Sequence, residues 1–302
     1  MTSLAALRGD ERLLDAWRRE GFEGSVHSVF DRVVNLAGAD GRLVSLAARS
    51  LDDAPNTLRI DTDRFDRRAL RVGAAAIARD GILHVDEPRV AVRLERAARW
   101  RARLPDYPAD DARLRRNLTM LCDRLGADAP GLLEAPSRAM ADALRRGDVD
   151  GVRAHGRAML GLGPGLTPSG DDFLVGLFAV LNVASSPCHL LRAASDGIVA
   201  DAETRTHAIS IAALREAAHG RVRESIETLL REVLRGPPAS MLAALERVLA
   251  IGATSGRDIA AGIVCGLRAN AAGRAARGRS VAASTPEGGG TLGRPGVSCE
   301  AP

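Results

Sequence analysis

The sequence contains no lysine and no glutamine, so all 42 of its basic residues are arginine. A P-loop for nucleotide phosphates needs a lysine, as do a Schiff base with pyridoxal phosphate and a lysine general base. These three kinds of chemistry are therefore excluded.

Cysteine is scarce and scattered, at positions 122, 188, 265 and 299, with no Cys-x-x-Cys pair and no histidine at ligand spacing. This pattern indicates neither a zinc site nor a disulfide framework, so we expect a cytoplasmic location. The beginning of the chain lacks the apolar core of a signal peptide, and the most apolar run, residues 173–184, is too short to span a bilayer. We expect no export and no membrane anchor.

Aromatic residues make up only 3% of the chain, and the net charge is +4. The densest basic run, residues 93–103, contains a single tryptophan. Nucleic-acid binding typically uses a basic stripe interleaved with stacking rings. The run therefore predicts a solvated arginine-rich face, and we expect no nucleic-acid partner.

The pattern of apolar residues predicts an α+β protein. Residues 4–20 have helical spacing ended by Gly21, which predicts an N-terminal helix within residues 1–22. Residues 23–105 consist of short strand-like runs between turn signals, which predict a mostly antiparallel β domain, a sheet or a small barrel. The predicted strands are Ser25–Phe30, Arg42–Leu46, Thr57–Ile60, Arg71–Ala74, Gly81–Val85 and Val90–Leu94.

Residues 106–272 have helical texture and predict a larger helical domain, because alanine-rich helices in this number need a bundle to bury their faces. Residues 273–302 turn to Gly, Ala, Arg, Ser and Pro, a composition that predicts a disordered tail. The predicted helices are Asp111–Leu125, Ser137–Arg146, Asp148–Leu160, Asp172–Ala184, Ser186–Ala200, Ile209–Gly220, Glu224–Leu234, Ser240–Ile251 and Asp258–Ala272.

One pattern, Ser-Gly-x-Asp-x-x-x-Gly, occurs at Ser169 and again 86 residues later at Ser255. A serine N-cap with an acidic residue three positions on is a helix-capping arrangement, so each copy predicts the start of a capped helix. The first copy follows a run with three glycines, Gly161, Gly163 and Gly165, more than a simple turn requires. Glycines let backbone N–H groups approach a ligand, and a helix N-terminus favours an anion. The two copies therefore predict two halves of one anion-binding site.

Two aspartates, Asp171 and Asp172, complicate a simple anion site, because carboxylates repel a phosphate. One alternative is that Mg²⁺ bridges carboxylate and phosphate oxygens. The other is that the aspartates orient amide or ammonium N–H groups of a substrate. In the second copy Arg257 takes the place of the first aspartate and could bind a carboxylate or phosphate, or remain solvated.

A third polar segment, Thr204–Ser210, lies between the two copies. Thr206 and Ser210 share a helical face, and His207 is a candidate general acid or base, with capping or packing as its alternative. The candidate catalytic residues are thus Asp171, Asp172 and His207. The candidate substrate or phosphate ligands are Gly163, Gly165, Thr167, Ser169, Gly170, Thr206, Ser210, Thr254, Ser255, Gly256, Arg257 and Asp258.

At these segments, and at Val26-His27-Ser28-Val29-Phe30, the chain resembles the AllH family over roughly residues 20 to 270. The resemblance implies a subunit of oxamate carbamoyltransferase that works with partner subunits in allantoin and purine breakdown. The implied reaction converts oxalurate and phosphate to oxamate and carbamoyl phosphate.

For this reaction we expect Thr167, Ser169 and Gly170 to hold phosphate and Ser255 and Arg257 to hold the substrate carboxylate. Asp171 or Asp172 would bind Mg²⁺ or the carbamoyl amino group. Two alternatives remain: a non-catalytic or regulatory anion-binding subunit, and a stand-alone Mg²⁺-dependent enzyme that uses a nucleotide.

Overall fold

The first part of the chain is a nine-stranded sheet and the second part is helical, which confirms the predicted α+β class. The structure is a computed structural model that describes residues 2–68, 70–108, 110, 112–126 and 131–283. The strands are β1 Thr2–Asp10, β2 Phe22–Val29, β3 Val33–Gly38, β4 Leu43–Ala48, β5 Thr57–Ile60, β6 Ala75–Arg79, β7 Ile82–Val85, β8 Val90–Arg93 and β9 Ala98–Trp100.

The sheet closes on itself because β1 has partners on both of its edges. On one edge Thr2–Ala5 pair in parallel with β8 and Arg8–Asp10 pair in parallel with β9, and the other edge is antiparallel to β5. The order β5-β4-β3-β2-β6-β7-β8-β1 thus returns to β5 and forms an eight-stranded barrel, with β9 as an extension. Most pairings are antiparallel, as expected, but β1–β8, β1–β9 and β4–β5 are parallel.

Alternate strand residues fill the barrel, as the period of two requires. Leu36, Leu46, Leu58 and Leu83 are fully buried there. Helix α1, Glu11–Glu20, adds Leu13, Leu14 and Trp17 to the same cluster.

The predicted helix over residues 4–20 is wrong in its first half, since residues 2–10 are strand β1. Pairing with three other strands outweighs the helical spacing of a few leucines. The predicted strand Arg71–Ala74 is also wrong, because β6 begins only at Ala75. Strands β3 and β9 were not predicted.

The helices follow the predicted pattern closely. The predicted helix over 186–200 divides into a short 3-10 turn, His189–Arg192, followed by α6. The last helix continues through Ala283, so residues 273–283 are helical rather than part of a disordered tail, and 284–302 lie outside the described residues. The helices after α1 are α2 Ala112–Leu125, α3 Glu134–Arg146, α4 Val149–Met159, α5 Ser169–Leu181, α6 Ala193–Ala202, α7 Ala208–Ala218, α8 Glu224–Arg235, α9 Pro238–Leu249 and α10 Ser255–Ala283.

Helix α5 is the centre of the helical part, since every residue from Gly170 to Leu181 is buried. Its main partner is α10, which runs parallel to it, so both helices begin at the same end of the bundle. Within the described residues no helix is both long enough and apolar enough to cross a membrane.

Polar contacts join the barrel to the helical part. Asp52, which follows β4, forms an ion pair with Arg223 and accepts a hydrogen bond from the Ser225 N–H at 3.0 Å. Nearby, the Asn56 side chain donates to Glu216 Oε1 at 3.0 Å.

Candidate functional site

The two Ser-Gly-x-Asp segments meet at the parallel starts of α5 and α10. The hydroxyl oxygens of Thr167, just before α5, and Ser255, the first residue of α10, are 3.1 Å apart. The segments also influence each other in both directions: the Ser255 hydroxyl lowers the pKa of Asp172, and the Ser169 hydroxyl lowers the pKa of Asp258. Each serine thus acts on the carboxyl group of the aspartate in the opposite helix. We call Thr167, Ser169, Asp172, Ser255 and Asp258 the crossed cluster.

Close packing explains why the two segments of this chain have the same spacing. A Cβ on Gly176 would lie 2.0 Å from the Ile259 carbonyl oxygen, and one on Gly262 would lie 2.0 Å from the Phe173 carbonyl oxygen. Real Cβ atoms do not approach so closely. The last glycine of each pattern therefore lets the backbones of α5 and α10 touch. The contact is reciprocal, because each glycine meets the carbonyl oxygen of the residue that follows the aspartate in the other segment.

The first glycine of each pattern has a matching role against the preceding helix. A Cβ on Gly170 would lie 2.0 Å from the Met159 carbonyl oxygen at the end of α4, and one on Gly256 would lie 2.0 Å from the Val248 carbonyl oxygen in α9. Helices α4 and α5 and helices α9 and α10 therefore form two similar helix–loop–helix units.

The predicted serine N-caps are wrong, because Pro168 is the N-cap of α5 and Ser169 is already its first residue. The first-turn N–H groups bond within the chain instead. Gly170 N donates to Leu162 O at 2.9 Å, and Gly256 N donates to Ile251 O at 3.0 Å. With these donors occupied, the serine hydroxyls are free to face the opposite helix, and the two glycines serve packing.

The glycine-rich loop owes its composition to backbone conformation. Gly161, Gly163 and Gly165 all have positive φ, at 71°, 116° and 93°. Residues with a side chain rarely adopt these angles. The glycine density, which at the level of sequence appeared to exceed what a turn requires, therefore follows from the path of the loop.

Asp171 holds the loop in place. Its Oδ1 accepts a hydrogen bond from Gly161 N at 2.9 Å, and its Oδ2 accepts one from the Thr206 hydroxyl. Asp171 is buried, at 1% exposure. Both carboxylate oxygens thus join the loop to the segment just before α7. Asp171 therefore positions the glycine-rich loop.

Asp172 is the unusual group of the cluster. Burial raises its pKa, hydrogen bonds from Ser255 and Thr167 oppose this, and the nearby Asp258 carboxylate raises it further, to about 7. Burial likewise raises the pKa of Asp258. Among the described residues, Oδ2 of each aspartate is buried and accepts no hydrogen bond. Asp172 can therefore exist in both protonation states near neutral pH.

A magnesium site receives little support. The described residues contain no group of three His, Cys, Asp or Glu side chains close enough to hold a metal ion. The oxygens of Asp171 are already hydrogen-bonded within the chain. The donor set does not fit Mg²⁺, which prefers several oxygen ligands, so we derive no step through a metal.

The remaining candidates lie around the cluster in different ways. His207 is exposed and is the N-cap of α7 without a side-chain capping bond. Ser210 is buried, and its hydroxyl donates to the Leu166 carbonyl oxygen at 3.5 Å. The Thr254 carbonyl accepts hydrogen bonds from the N–H groups of Arg257 and Asp258. Thr206, Ser210 and Thr254 thus position the loop and α10, while no hydrogen bond among the described residues joins the His207 side chain to the crossed cluster.

Arg257 points to a feature that the sequence did not reveal. Its guanidinium donates to the Leu125 carbonyl oxygen at 2.7 Å and lines a cavity of about 280 Å³ between α3 and α10. Three further arginines, at 138, 145 and 268, line the same cavity. In the sequence, only the helical spacing of these arginines could have indicated a shared site. That spacing is also typical of any solvated helix face.

The fold and the crossed cluster define an α+β protein in which a closed barrel precedes two like helix–loop–helix units that share one polar site. The model of the AllH family N-terminal domain matches residues 5–99, and the model described as oxamate carbamoyltransferase subunit AllH matches residues 159–267. The chain belongs to the AllH family. The description as a subunit implies a carbamoyltransferase of more than one kind of chain. No solved structure matches the chain.

Proposed function

We propose that this protein is a subunit of a carbamoyltransferase that converts oxalurate and phosphate to oxamate and carbamoyl phosphate, with the crossed cluster as its reacting site. The family's description supports the carbamoyltransferase role. The observation that carries the site is the meeting of the Thr167 and Ser255 hydroxyls, 3.1 Å apart, beside the buried carboxyl of Asp172.

In the proposed reaction a phosphate oxygen attacks the carbamoyl carbon, and the bond from that carbon to the oxamate nitrogen breaks. The proton leaving the phosphate hydroxyl passes to the Asp172 carboxylate and is then given to the departing nitrogen. A group with a pKa of about 7 suits both halves of this transfer at neutral pH. The hydroxyls of Ser169, Thr167 and Ser255 supply hydrogen bonds to the phosphate and carbonyl oxygens.

The chemistry of the cluster also supports a role for partner subunits. The N–H groups of residues 170–172 and 256–258, at the starts of α5 and α10, are occupied within the chain, so this chain offers hydroxyls and carboxyls but few backbone donors for a developing oxyanion. We propose that a partner chain supplies the missing donors and closes the site against water.

The test is oxalurate phosphorolysis by the co-purified complex carrying Asp172→Asn. We expect kcat to fall by roughly 10²–10⁴ while the complex still assembles, because loss of a positioned acid–base group typically has that effect. In the unsubstituted complex, kcat should fall as the pH is lowered through about 7, where Asp172 becomes protonated.

Asp196→Asn is the matched control. Asp196 is the fourth residue of α6, as Asp172 is of α5, but it is exposed. Its replacement should leave kcat unchanged. Full activity of an assembled Asp172→Asn complex would contradict the proposed site and favour a non-catalytic or regulatory role for this chain.

A further inference from the structure

The cavity of about 280 Å³ between α3 and α10 combines an apolar floor with a cationic wall. Phe173, Ala261 and Val264 form part of the floor. Four guanidinium groups surround it, and no aspartate or glutamate is among the described residues that line it. The four arginines are Arg138, Arg145, Arg257 and Arg268.

The helices place these arginines in two rows. Arg138 and Arg145 are seven residues apart on α3, about two turns, and Arg257 and Arg268 are eleven residues apart on α10, about three turns. Whole-turn spacing puts both members of each pair on one face of their helix. The cavity is therefore flanked by two cations on each wall.

Two of the arginines, Arg145 and Arg257, keep donors available for a ligand, whereas Arg138 is paired with Glu134. Arg145 forms an ion pair with Asp142 three residues before it, and both side chains are more than half exposed. An exposed pair of this kind contributes little stability, so a better partner displaces it easily. Arg257 uses one Nη2 hydrogen bond to the Leu125 carbonyl, and a guanidinium has five N–H donors.

We propose that this cavity binds a small amphipathic oxyanion, a carboxylate or a phosphoryl group attached to a short apolar body. Guanidinium forks bind either oxyanion through paired hydrogen bonds. The apolar floor contributes to the binding only if the ligand has a body to bury. The volume limits that body to a few carbon atoms, since sites for larger ligands have volumes of about 300–1,000 Å³.

The inference is separate from the proposed reaction. None of the residues of the crossed cluster lines the cavity, although Arg257 directly precedes Asp258 and Phe173 directly follows Asp172. A ligand in the cavity would therefore contact residues next to the starts of α5 and α10, which makes the cavity suited to an effector rather than to the substrate.

The test is isothermal titration of the isolated chain, at low ionic strength, with butyl phosphate, pentanoate, inorganic phosphate and 1-butanol. We expect one site per chain for at least one of the two amphipathic anions, weaker binding of inorganic phosphate, and no binding of 1-butanol. The tighter of the first two ligands assigns the natural head group to the phosphoryl or the carboxylate class.

Two variants locate the site. Arg145→Ala should weaken binding by about tenfold or more, because it removes charge-assisted hydrogen bonds. Ala261→Leu should weaken binding of butyl phosphate but leave inorganic phosphate nearly unaffected, because the added side chain fills the floor. Arg116→Ala, an exposed arginine of α2 outside the cavity, is the control and should change nothing.

Absence of binding by both anions, or equal binding by folded Arg145→Ala, would overturn the inference. Binding as tight for inorganic phosphate as for butyl phosphate would overturn the amphipathic ligand class. Neither result bears on Asp172→Asn in the assembled complex, so the two proposals fail separately.

Discussion

At the scale of single residues, Asp172 differs most from what its position in the sequence suggests. It lies in the first turn of a helix, where an aspartate is ordinarily ionised and stabilising. Here burial and a second carboxyl raise its pKa to about 7. The two parallel helix starts favour negative charge nearby, yet burial of the carboxyl works against it.

This shift predicts how stability depends on pH. The ordinary pKa of 3.8 applies to the unfolded chain and about 7 to the folded one, so between these values the folded state holds more protons. The free energy of unfolding must then fall as pH rises from about 4 to 7, and the destabilisation is complete above 7. Asp172→Asn should remove this fall and make the protein more stable at pH 8 by on the order of 2–4 kcal/mol.

Urea unfolding at pH 5, 6, 7 and 8 measures the effect, with Asp196→Asn as the control. Glu227, whose pKa burial also raises to about 7, contributes the same trend to every variant and cancels in the difference. Parallel pH curves for Asp172→Asn and the unsubstituted chain would show that Asp172 titrates normally.

At the scale of elements, the contact between α5 and α10 depends on glycine. The close approach at Gly176 and Gly262 brings the two helix starts together and so creates the crossed cluster. The sequence revealed the repeat and its glycines but favoured capping and ligand approach as their reason. The actual reason is steric, and it involves backbone atoms more than 80 residues away in the chain.

Gly262→Ala should therefore destabilise the protein by about 1–3 kcal/mol, since a Cβ would strike the Phe173 carbonyl and force the helices apart. Gly197→Ala is the matched control within α6. There the nearest atoms belong to the flexible Arg153 side chain, which can move, so the helix-favouring alanine should be neutral or stabilising by up to about 1 kcal/mol.

Thermal or urea unfolding of both variants decides the matter. If Gly262→Ala is as stable as Gly197→Ala, the helices are not held in backbone contact. Displacement of α10 should also lower the activity of the assembled complex, because Ser255 and Asp172 lie at the end of the same contact.

At the scale of the whole molecule, the barrel and the helical part have separate hydrophobic clusters, one from Ala6 to Val92 and one from Tyr107 to Ala269. Polar groups join them. The pKa of Asp52 is lowered: burial raises it, but Arg223 and Ser225 together lower it more. Asp52 is thus the anionic partner of a partly buried ion pair between the two parts.

Asp52→Asn should cost about 1–3 kcal/mol and weaken the coupling of the two parts. The only two tryptophans, Trp17 and Trp100, belong to the barrel half, so their fluorescence follows the barrel while circular dichroism follows the helices. The two transitions should separate in the variant. Asp61→Asn, which removes an exposed pair with Arg49, should leave them unchanged.

Much of the fold was predictable because its signals are local. Apolar periodicity predicted nearly every helix after residue 106, and turn residues separated most of the strands. Two of the errors have one cause: β1 and β9 are stabilised by neighbours distant in sequence, and local spacing carries no information about such partners. Strand β3 pairs with the adjacent β2 and β4, so its omission has no such reason.

The sequence by itself determined the class of fold, the absence of lysine chemistry, and the two segments that matter, because composition and periodicity are properties of short stretches. Only the tertiary structure decided what those segments do. In the folded chain β1 closes the barrel, and the glycines of the two segments allow the helices to pack closely. Both carboxylate oxygens of Asp171 accept hydrogen bonds, and Asp172 is buried near the Asp258 carboxyl. A pKa and a steric contact depend on which atoms meet, and residues 86 positions apart meet only once the chain has folded.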